Sequence, residues 1–517
     1  MHLKQQPGLA KKRIPLWLFM VSAVTAIAIG LGLRFIDLDR APIHADEAAT
    51  GAKILAERLE SQTYRFDPRH FHGPLLTATA VPIAKLRGEN DWDSLTKTTL
   101  RITTAAAGAL TVFLVVLIAP RSRVYALSVA ALIATSPLLV YFSRIFIHES
   151  WQVLGATGLI VAATAYISRP SALLAGLAGL SLGVMFANKE TAVITLMSWG
   201  IASVVLIIES RRVRRYIAEN RSLLMRHGLI GSAAVFIIIG MAYTGFGRDF
   251  SGLVSFGKTY FVYEADDSHK KSFFYYAYLL AWPKQAGGFW WGETLVFITA
   301  VGGFCLSLRD SRGMAIRVIA YAAMSEWLIY SLIGYKTPWL AAVFWLELCC
   351  VAGYGISRLF ISKSVSLRWA ACVFLISVTS WHATQAYRVA LRFPVDDRNP
   401  YAYVPTSPDV EKASRWLGEL AAEYPEIAEG PLAVVGREYW PLPWYLRDFD
   451  TVGYWPEVPE IAHGLPLVLL LPNHALDTAG LDETHYAVPR SLRTDTPMWV
   501  YVRRDIWQNY LSGRSEP

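Results

Sequence analysis

The chain has 517 residues, 54% of them hydrophobic, a mean hydropathy of +0.32 and a formal net charge of +8. Apolar runs near twenty residues, the length that spans a hydrocarbon core of about 30 Å, recur along most of it and set it apart from water-soluble chains of this size. The positive excess calls for no nucleic acid, because most of it falls in short loops on one side of a membrane, where anionic lipid faces it.

About eleven membrane-crossing helices are predicted. They cover 14–33, 100–119, 124–141, 151–167, 172–187, 191–208, 228–246, 293–308, 314–333, 338–357 and 368–387. Lys4, Lys11, Lys12 and Arg13 precede the first of these. If that end is cytoplasmic, alternate loops must also be basic. They carry Arg121 and Arg123, then Arg169, then Arg211 to Arg226, then Arg309, Arg312 and Arg317, then Arg358, Lys363 and Arg368. The expectation is a multi-pass protein of the cytoplasmic (inner) membrane with its N-terminus inside. The exported side then receives 34–99, 142–150, 188–190, 247–292, 334–337 and everything after 388. The first apolar stretch is longer than a signal-peptide core and reads as an uncleaved anchor. Cys305, Cys349, Cys350 and Cys372 all fall in predicted spans, which indicates apolar packing and neither a disulfide framework nor a CxxC metal site.

Two domains follow: a helical membrane domain over 1–390, interrupted by exported loops 34–99 and 247–292, and a small exported α/β domain over 395–517. In the first loop, Ala48, Ala52, Leu55 and Leu59 repeat at helical spacing within Glu47–Glu60, and Pro74–Leu86 repeats the pattern more weakly. Both read as short interfacial helices. In the second domain, Ser407-Pro408-Asp409 opens a capped helix to Tyr424. Pro431–Gly436, Leu465–Leu471 and Met498–Arg503 read as strands, followed by a closing helix to Leu511. No dinucleotide or P-loop fingerprint is present there.

The chemistry-bearing residues gather at the exported turns. Asp46-Glu47 stands just beyond the first span, where one carboxylate can act as a general base or hold a divalent cation while the other orients; a helix N-terminus also favours acids. His72, in Phe71-His72-Gly73-Pro74, fits a metal or phosphate ligand or an acid/base group, and equally a surface loop. In Ser143–Glu149, Arg144 can hold a phosphate, and His148 with Glu149 can join a divalent metal site, or Arg144 and Glu149 can simply pair. Lys189 and Lys336 suit a lipid phosphate, with snorkelling as the alternative for Lys189; Tyr335 and Trp339 flank Lys336 or belong to an interfacial aromatic belt. Lys258, Tyr260, Tyr263, Glu264, His269, Lys270 and Lys271 suit sugar stacking or a lid resting on the membrane. Carboxylates for an acceptor and cations for a departing phosphate are the two halves needed to transfer a sugar from a polyprenyl-phosphate carrier.

On these residues the chain resembles the GT-C superfamily of polytopic glycosyltransferases, in the branch of protein O-mannosyltransferases and lipid A aminoarabinose transferases. The matching residues are Asp46-Glu47, the Glu47–Glu60 stretch, His72-Gly73-Pro74-Leu75-Leu76, and the Gly-rich span ending Phe186-Ala187-Asn188-Lys189-Glu190-Thr191. Tyr335-Lys336-Thr337-Pro338-Trp339 and Tyr439–Arg447 resemble a narrower subfamily labelled flippase activity-associated. The resemblance implies an inverting transferase that uses a lipid-phosphate-linked hexose or pentose on the exported face, with Asp46 as base, acting on a protein, lipid or glycan. Where the aminoarabinose transferases carry Lys-Pro-Pro, this chain has His72-Gly73-Pro74, so their acceptor does not carry over. The Trp440–Trp444 cluster serves either the acceptor or packing on the membrane domain. The competing reading is a flippase or transporter component working without chemistry, which calls for charges deep in spans; Glu326 and Glu347 are the exceptions to charges at span ends. A non-catalytic lipid-glycan scaffold is the third, and it would tolerate loss of Asp46.

Overall fold

The computed structural model describes residues 14–61, 65–70, 72–118, 122–262, 269–310, 313–472, 478 and 480–513. Lys4, Lys11, Lys12, Arg13, Phe71, Arg121, Tyr263, Glu264 and Arg312 lie outside the described residues. Helix accounts for 68% of the structure. The chain runs through α1 (Leu16–Phe35), a π-helical turn (Glu47–Ala52) continued by α2 (Lys53–Glu60), α3 (Leu75–Leu86), α4 (Lys97–Val116), α5 (Arg123–Thr135) and α6 (Pro137–Phe142). There follow α7 (Glu149–Ser168), α8 (Ala172–Asn188), α9 (Ala192–Glu209), α10 (Arg211–Glu219), α11 (Arg221–Tyr243) and α12 (Ser251–Val262). A two-stranded hairpin, β1 (Lys284–Ala286) and β2 (Phe289–Trp291), precedes α13 (Thr294–Arg309), α14 (Met314–Leu332), α15 (Ala342–Phe360) and α16 (Val365–Tyr387).

A helix occupies each of the predicted apolar segments. Six helices among the described residues are long and apolar enough to cross a membrane: α1, α4, α7, α9, α11 and the 338–360 helix that contains α15. The protein is an integral membrane protein. Segment 124–141 is broken at Ser136-Pro137, because a proline offers no N–H and disfavours helix at the residue before it. The break frees carbonyls that need partners, and Arg34 on α1 supplies them, donating to Ile133 O and Ala134 O at 3.1 Å each. Leu138 N–H turns instead to Glu293 Oε1 (2.9 Å), a buried carboxylate that also accepts from Ser136 and Trp345. Helices α8 and α11 meet backbone to backbone: a Cβ on Gly179 would collide with Gly231 O, which explains the small residues of that span.

The first loop forms helices over both expected stretches, the first opening as the π-helical turn, with Ala48, Ala52 and Leu55 fully buried in one cluster with Leu76, Ala80 and Ala84 of α3. After α16 the linker leads to α17 (Pro408–Glu423) and α18 (Pro425–Glu429), then β3 (Leu432–Val435), α19 (Leu442–Tyr445), β4 (Val452–Trp455), β5 (Leu467–Leu470), α20 (Leu481–Thr484), β6 (His485–Arg493), β7 (Thr496–Arg503) and α21 (Arg504–Gly513). The sheet order is β4-β3-β5-β7-β6, with β3 parallel to both β4 and β5, and β7 antiparallel to β5 and β6. Its two faces carry separate apolar clusters.

This domain docks on the first loop. Trp444 meets Trp92 edge-on at 5.6 Å, and Arg447 lies over the Trp444 ring at 4.2 Å while donating to Leu95 O at 2.8 Å. Lys97 pairs with Glu411 at 2.7 Å.

Candidate functional site

Beyond α1 the backbone runs without helix from Ile36 toward Asp46, so its carbonyls must be satisfied by side chains. Arg144 caps the end of α1, donating to Leu33 O (3.2 Å), Arg34 O (3.1 Å) and Asp37 O (2.8 Å). Arg101 serves the next stretch, donating to Leu38 O (2.7 Å), Ala41 O (3.0 Å) and Pro42 O (3.0 Å). The same guanidinium forks onto Glu47 through Nε–H to Oε1 (2.8 Å) and Nη2–H to Oε2 (2.7 Å). Glu47 also accepts the N–H groups of His44 (2.9 Å) and Phe146 (2.8 Å). Burial alone would raise its carboxyl, but Arg101 and the two backbone donors hold it below the usual range. The pair Asp46-Glu47, expected to share one chemistry, is thus divided: Glu47 is committed to the interior.

Asp46 is the half that remains available, with 46% of its side chain exposed. His44 Nδ1 accepts the Asp46 N–H (3.1 Å) and lies 3.7 Å from Asp46 Oδ2, while Nε2 meets Tyr403 O at 2.9 Å. A ring that accepts at Nδ1 and donates at Nε2 is the neutral Nε2–H tautomer, as this network assigns it. The residue before it is clamped from both sides. Ile43 N–H donates to Tyr445 Oη (3.0 Å), and Ile43 O accepts from Thr406 Oγ1 (2.7 Å). The linker and the C-terminal domain therefore fix the backbone that presents Asp46.

An aromatic wall stands beside it. Trp339 meets His44 edge-on at 6.2 Å and Tyr403 at 5.5 Å. His269 Nδ1 hydrogen-bonds Tyr403 Oη, and its ring lies 5.2 Å from Tyr335. Lys336 is buried at this wall with Nζ donating to Lys271 O (3.3 Å) and to Ile333 O. A small cleft lies behind the Asp46 segment, lined among others by Pro42, His44, Arg101, Tyr141, Arg144 and Thr406.

His72 and His148 form a second cluster. Their rings are 4.6 Å apart, and His72 Nδ1 pairs with Glu190 Oε2 at 2.9 Å. Lys189 Nζ donates to Glu149 Oε1 at 2.6 Å, and Asn188 Nδ2–H donates to His148 O at 2.7 Å. Gly73 lets the two loops touch: its N–H donates to Asn188 O at 3.0 Å, and a Cβ there would strike Ala187 O. Burial, then His72 and Lys189, push His148 well below its ordinary 6.5. Glu190 is held low, burial being outweighed by His72 and Lys189.

His148 and Glu149, the expected metal pair, both lie in this cluster. Glu149 receives Lys189, and among the described residues no group of three or more His, Cys, Asp or Glu side chains is placed to hold an ion. The three cations expected to face a phosphate are likewise engaged, Arg144 and Lys336 with carbonyls and Lys189 with Glu149. In an interior every charge needs a partner, and residue type alone does not say which. The residues missed from sequence are His44, Arg101, Glu190, Tyr403 and Tyr445. Arg101 had a signal, as an arginine inside a predicted span.

No family model matches the chain, and no curated protein matches it by sequence. Among solved structures, ArnT from Cupriavidus metallidurans in the apo state aligns with a TM-score of 0.62 at 14% identity, covering 93% of this chain and 98% of ArnT. The same protein bound to undecaprenyl phosphate aligns with a TM-score of 0.59 at 14% identity, over 94% and 97% of the two chains. At that identity the likeness is one of fold, and it extends over both domains. The chain has the fold of ArnT.

Proposed function

We propose that the protein is a membrane glycosyltransferase that moves a sugar from a polyprenyl-phosphate-linked donor to an acceptor on the exported face, with its C-terminal domain outside. The observation that carries this reading is the division of labour in the first loop. A segment clamped by Arg101, Tyr445, Thr406 and Tyr403 holds one carboxylate, Asp46, half exposed at the end of the bundle. Preorganisation of that kind suits a general base, because the geometry is fixed before the acceptor arrives.

In the reaction, Asp46 takes the proton of an acceptor hydroxyl as that oxygen attacks the anomeric carbon. The bond from that carbon to the phosphate oxygen breaks, and the polyprenyl phosphate leaves. His44 fixes the Asp46 backbone. Lys336 meets only carbonyl oxygens among the described residues, so an anionic phosphate is the stronger partner for its charge. Trp339, Tyr335 and Tyr403 offer ring faces and edges to a sugar. The undecaprenyl phosphate bound by ArnT supports the carrier class.

The test is to offer the purified protein a panel of polyprenyl-phosphate sugars and follow both free sugar and lipid phosphate. The proposal expects lipid phosphate to appear together with the sugar, on the acceptor where one is used and free where water takes its place. Lipids that bind tightly and stay intact, whatever acceptor is supplied and with water as acceptor too, would favour the flippase reading.

A further inference from the structure

Two glutamates lie inside the helical bundle and play no part in the site above. Glu326 on α14 and Glu347 on α15 have no exposed surface. Each is held through one oxygen by α9: Thr195 Oγ1 donates to Glu326 Oε1 at 3.0 Å, and Trp199 Nε1–H donates to Glu347 Oε1 at 2.7 Å. Residues four apart on a helix stand on one face, about 6 Å apart along its axis. The two carboxyl groups therefore stand next to each other against α9. The second oxygen of each is buried without a hydrogen-bond partner.

Ser198, on the same face of α9, is fully buried and its hydroxyl is also unpartnered. That departs from the habit of this bundle. Thr157, Thr164, Ser181 and Ser203 each donate to the carbonyl four residues earlier. Ser198 does not, so its buried hydroxyl is left without an acceptor on the face of α9 that carries Thr195 and Trp199. The cations on the surrounding elements are engaged elsewhere: Lys189 with Glu149, Arg317 with Glu209, and Arg358 with Asp310. Three buried oxygens without partners thus belong to the helix faces that meet here, two of them on acids in a medium without water. Two such carboxyls do not both ionise unless a positive ion comes between them.

We propose that Glu326 Oε2, Glu347 Oε2 and Ser198 Oγ form a site for a small monovalent cation, within two turns of the loop-bearing ends of α9, α14 and α15. Hard oxygen ligands suit an alkali ion. A pair retaining one proton carries a single negative charge, which such an ion cancels. Once bound, the ion ties α9 to α14 and α15.

The test heats the full-length protein in detergent micelles in lithium, sodium, potassium or choline chloride at equal ionic strength and fixed pH. The proposal expects the unfolding midpoint to rise saturably, by a few degrees, with at least one alkali ion and not with choline. That response should vanish in Ser198→Ala and in the double variant Glu326→Gln/Glu347→Gln. Should the double variant fail to fold, the decision rests on Ser198→Ala and on equilibrium dialysis of the wild type with the radioactive form of the responding ion, or of sodium if none responds, where one ion per chain is expected. Equal midpoints in all four salts with no bound ion, or an unchanged response in Ser198→Ala, would overturn the site.

Discussion

Glu47 and Arg101 are the keystone of the first loop, and their separation from the chemistry can be measured. The side chains are 1% and 2% exposed, and the guanidinium makes two bonds to the carboxylate and three to carbonyls. Glu47→Gln keeps the shape and removes the charge, leaving a buried guanidinium with only neutral acceptors. Removing one member of a buried pair costs about 3–5 kcal/mol. Arg101→Met should cost at least as much, because Leu38 O, Ala41 O and Pro42 O lose their donor as well. The double variant carries neither charge, so it should be less damaged than the sum, with a coupling energy of about 2–3 kcal/mol. Equilibrium unfolding in mixed micelles of wild type, both single variants and the double variant gives the cycle. Single variants within about 0.5 kcal/mol of wild type, the range of an ordinary surface change, would refute the reasoning. So would a Glu47→Gln protein with wild-type stability and no turnover, since that result would return Glu47 to the chemistry.

Three other outcomes follow from the same geometry. Tyr445→Phe leaves the Ile43 N–H without its acceptor, a loss of about 1–3 kcal/mol, and hydrogen exchange should show the Ile43 amide opening faster. His148 titrates below 6.5 in the folded protein, so between that value and its folded one the unfolded chain binds more protons. Stability should therefore be fully present above pH 6.5 and decline as pH falls below it; a scan of unfolding midpoint against pH should show a shallower decline in His148→Asn. Trp444→Ala removes the ring between Trp92 and Arg447, at about 3–5 kcal/mol of docking, and limited proteolysis should cut the 388–407 linker sooner.

The apolar segments were legible because a twenty-residue run is its own signal. The break in 124–141 was missed although Ser136-Pro137 stands within it. Strand β4 is only four residues long, and β6 carries Pro489, which a strand tolerates at a sheet edge, where β6 lies. The hexapeptide ending in Asp46-Glu47 drew attention on sequence alone. Its division could not be read there, because two of the three partners of Glu47 lie 54 and 99 residues away, at Arg101 and the Phe146 N–H. Nor could the partners of the Trp440–Trp444 cluster be read there: Trp444 packs on Trp92, and Trp440 joins the first-loop cluster. The narrower subfamily likeness still rests on the Tyr335–Trp339 and Tyr439–Arg447 motifs.

The most direct test of the proposed function compares purified wild type with Asp46→Asn for transfer or hydrolysis of polyprenyl-phosphate sugars, with unfolding midpoints measured on the same preparations. The account predicts turnover by the wild type and none by Asp46→Asn at an unchanged midpoint, because the Asp46 carboxylate is half exposed. Undiminished turnover in a folded Asp46→Asn protein would contradict it.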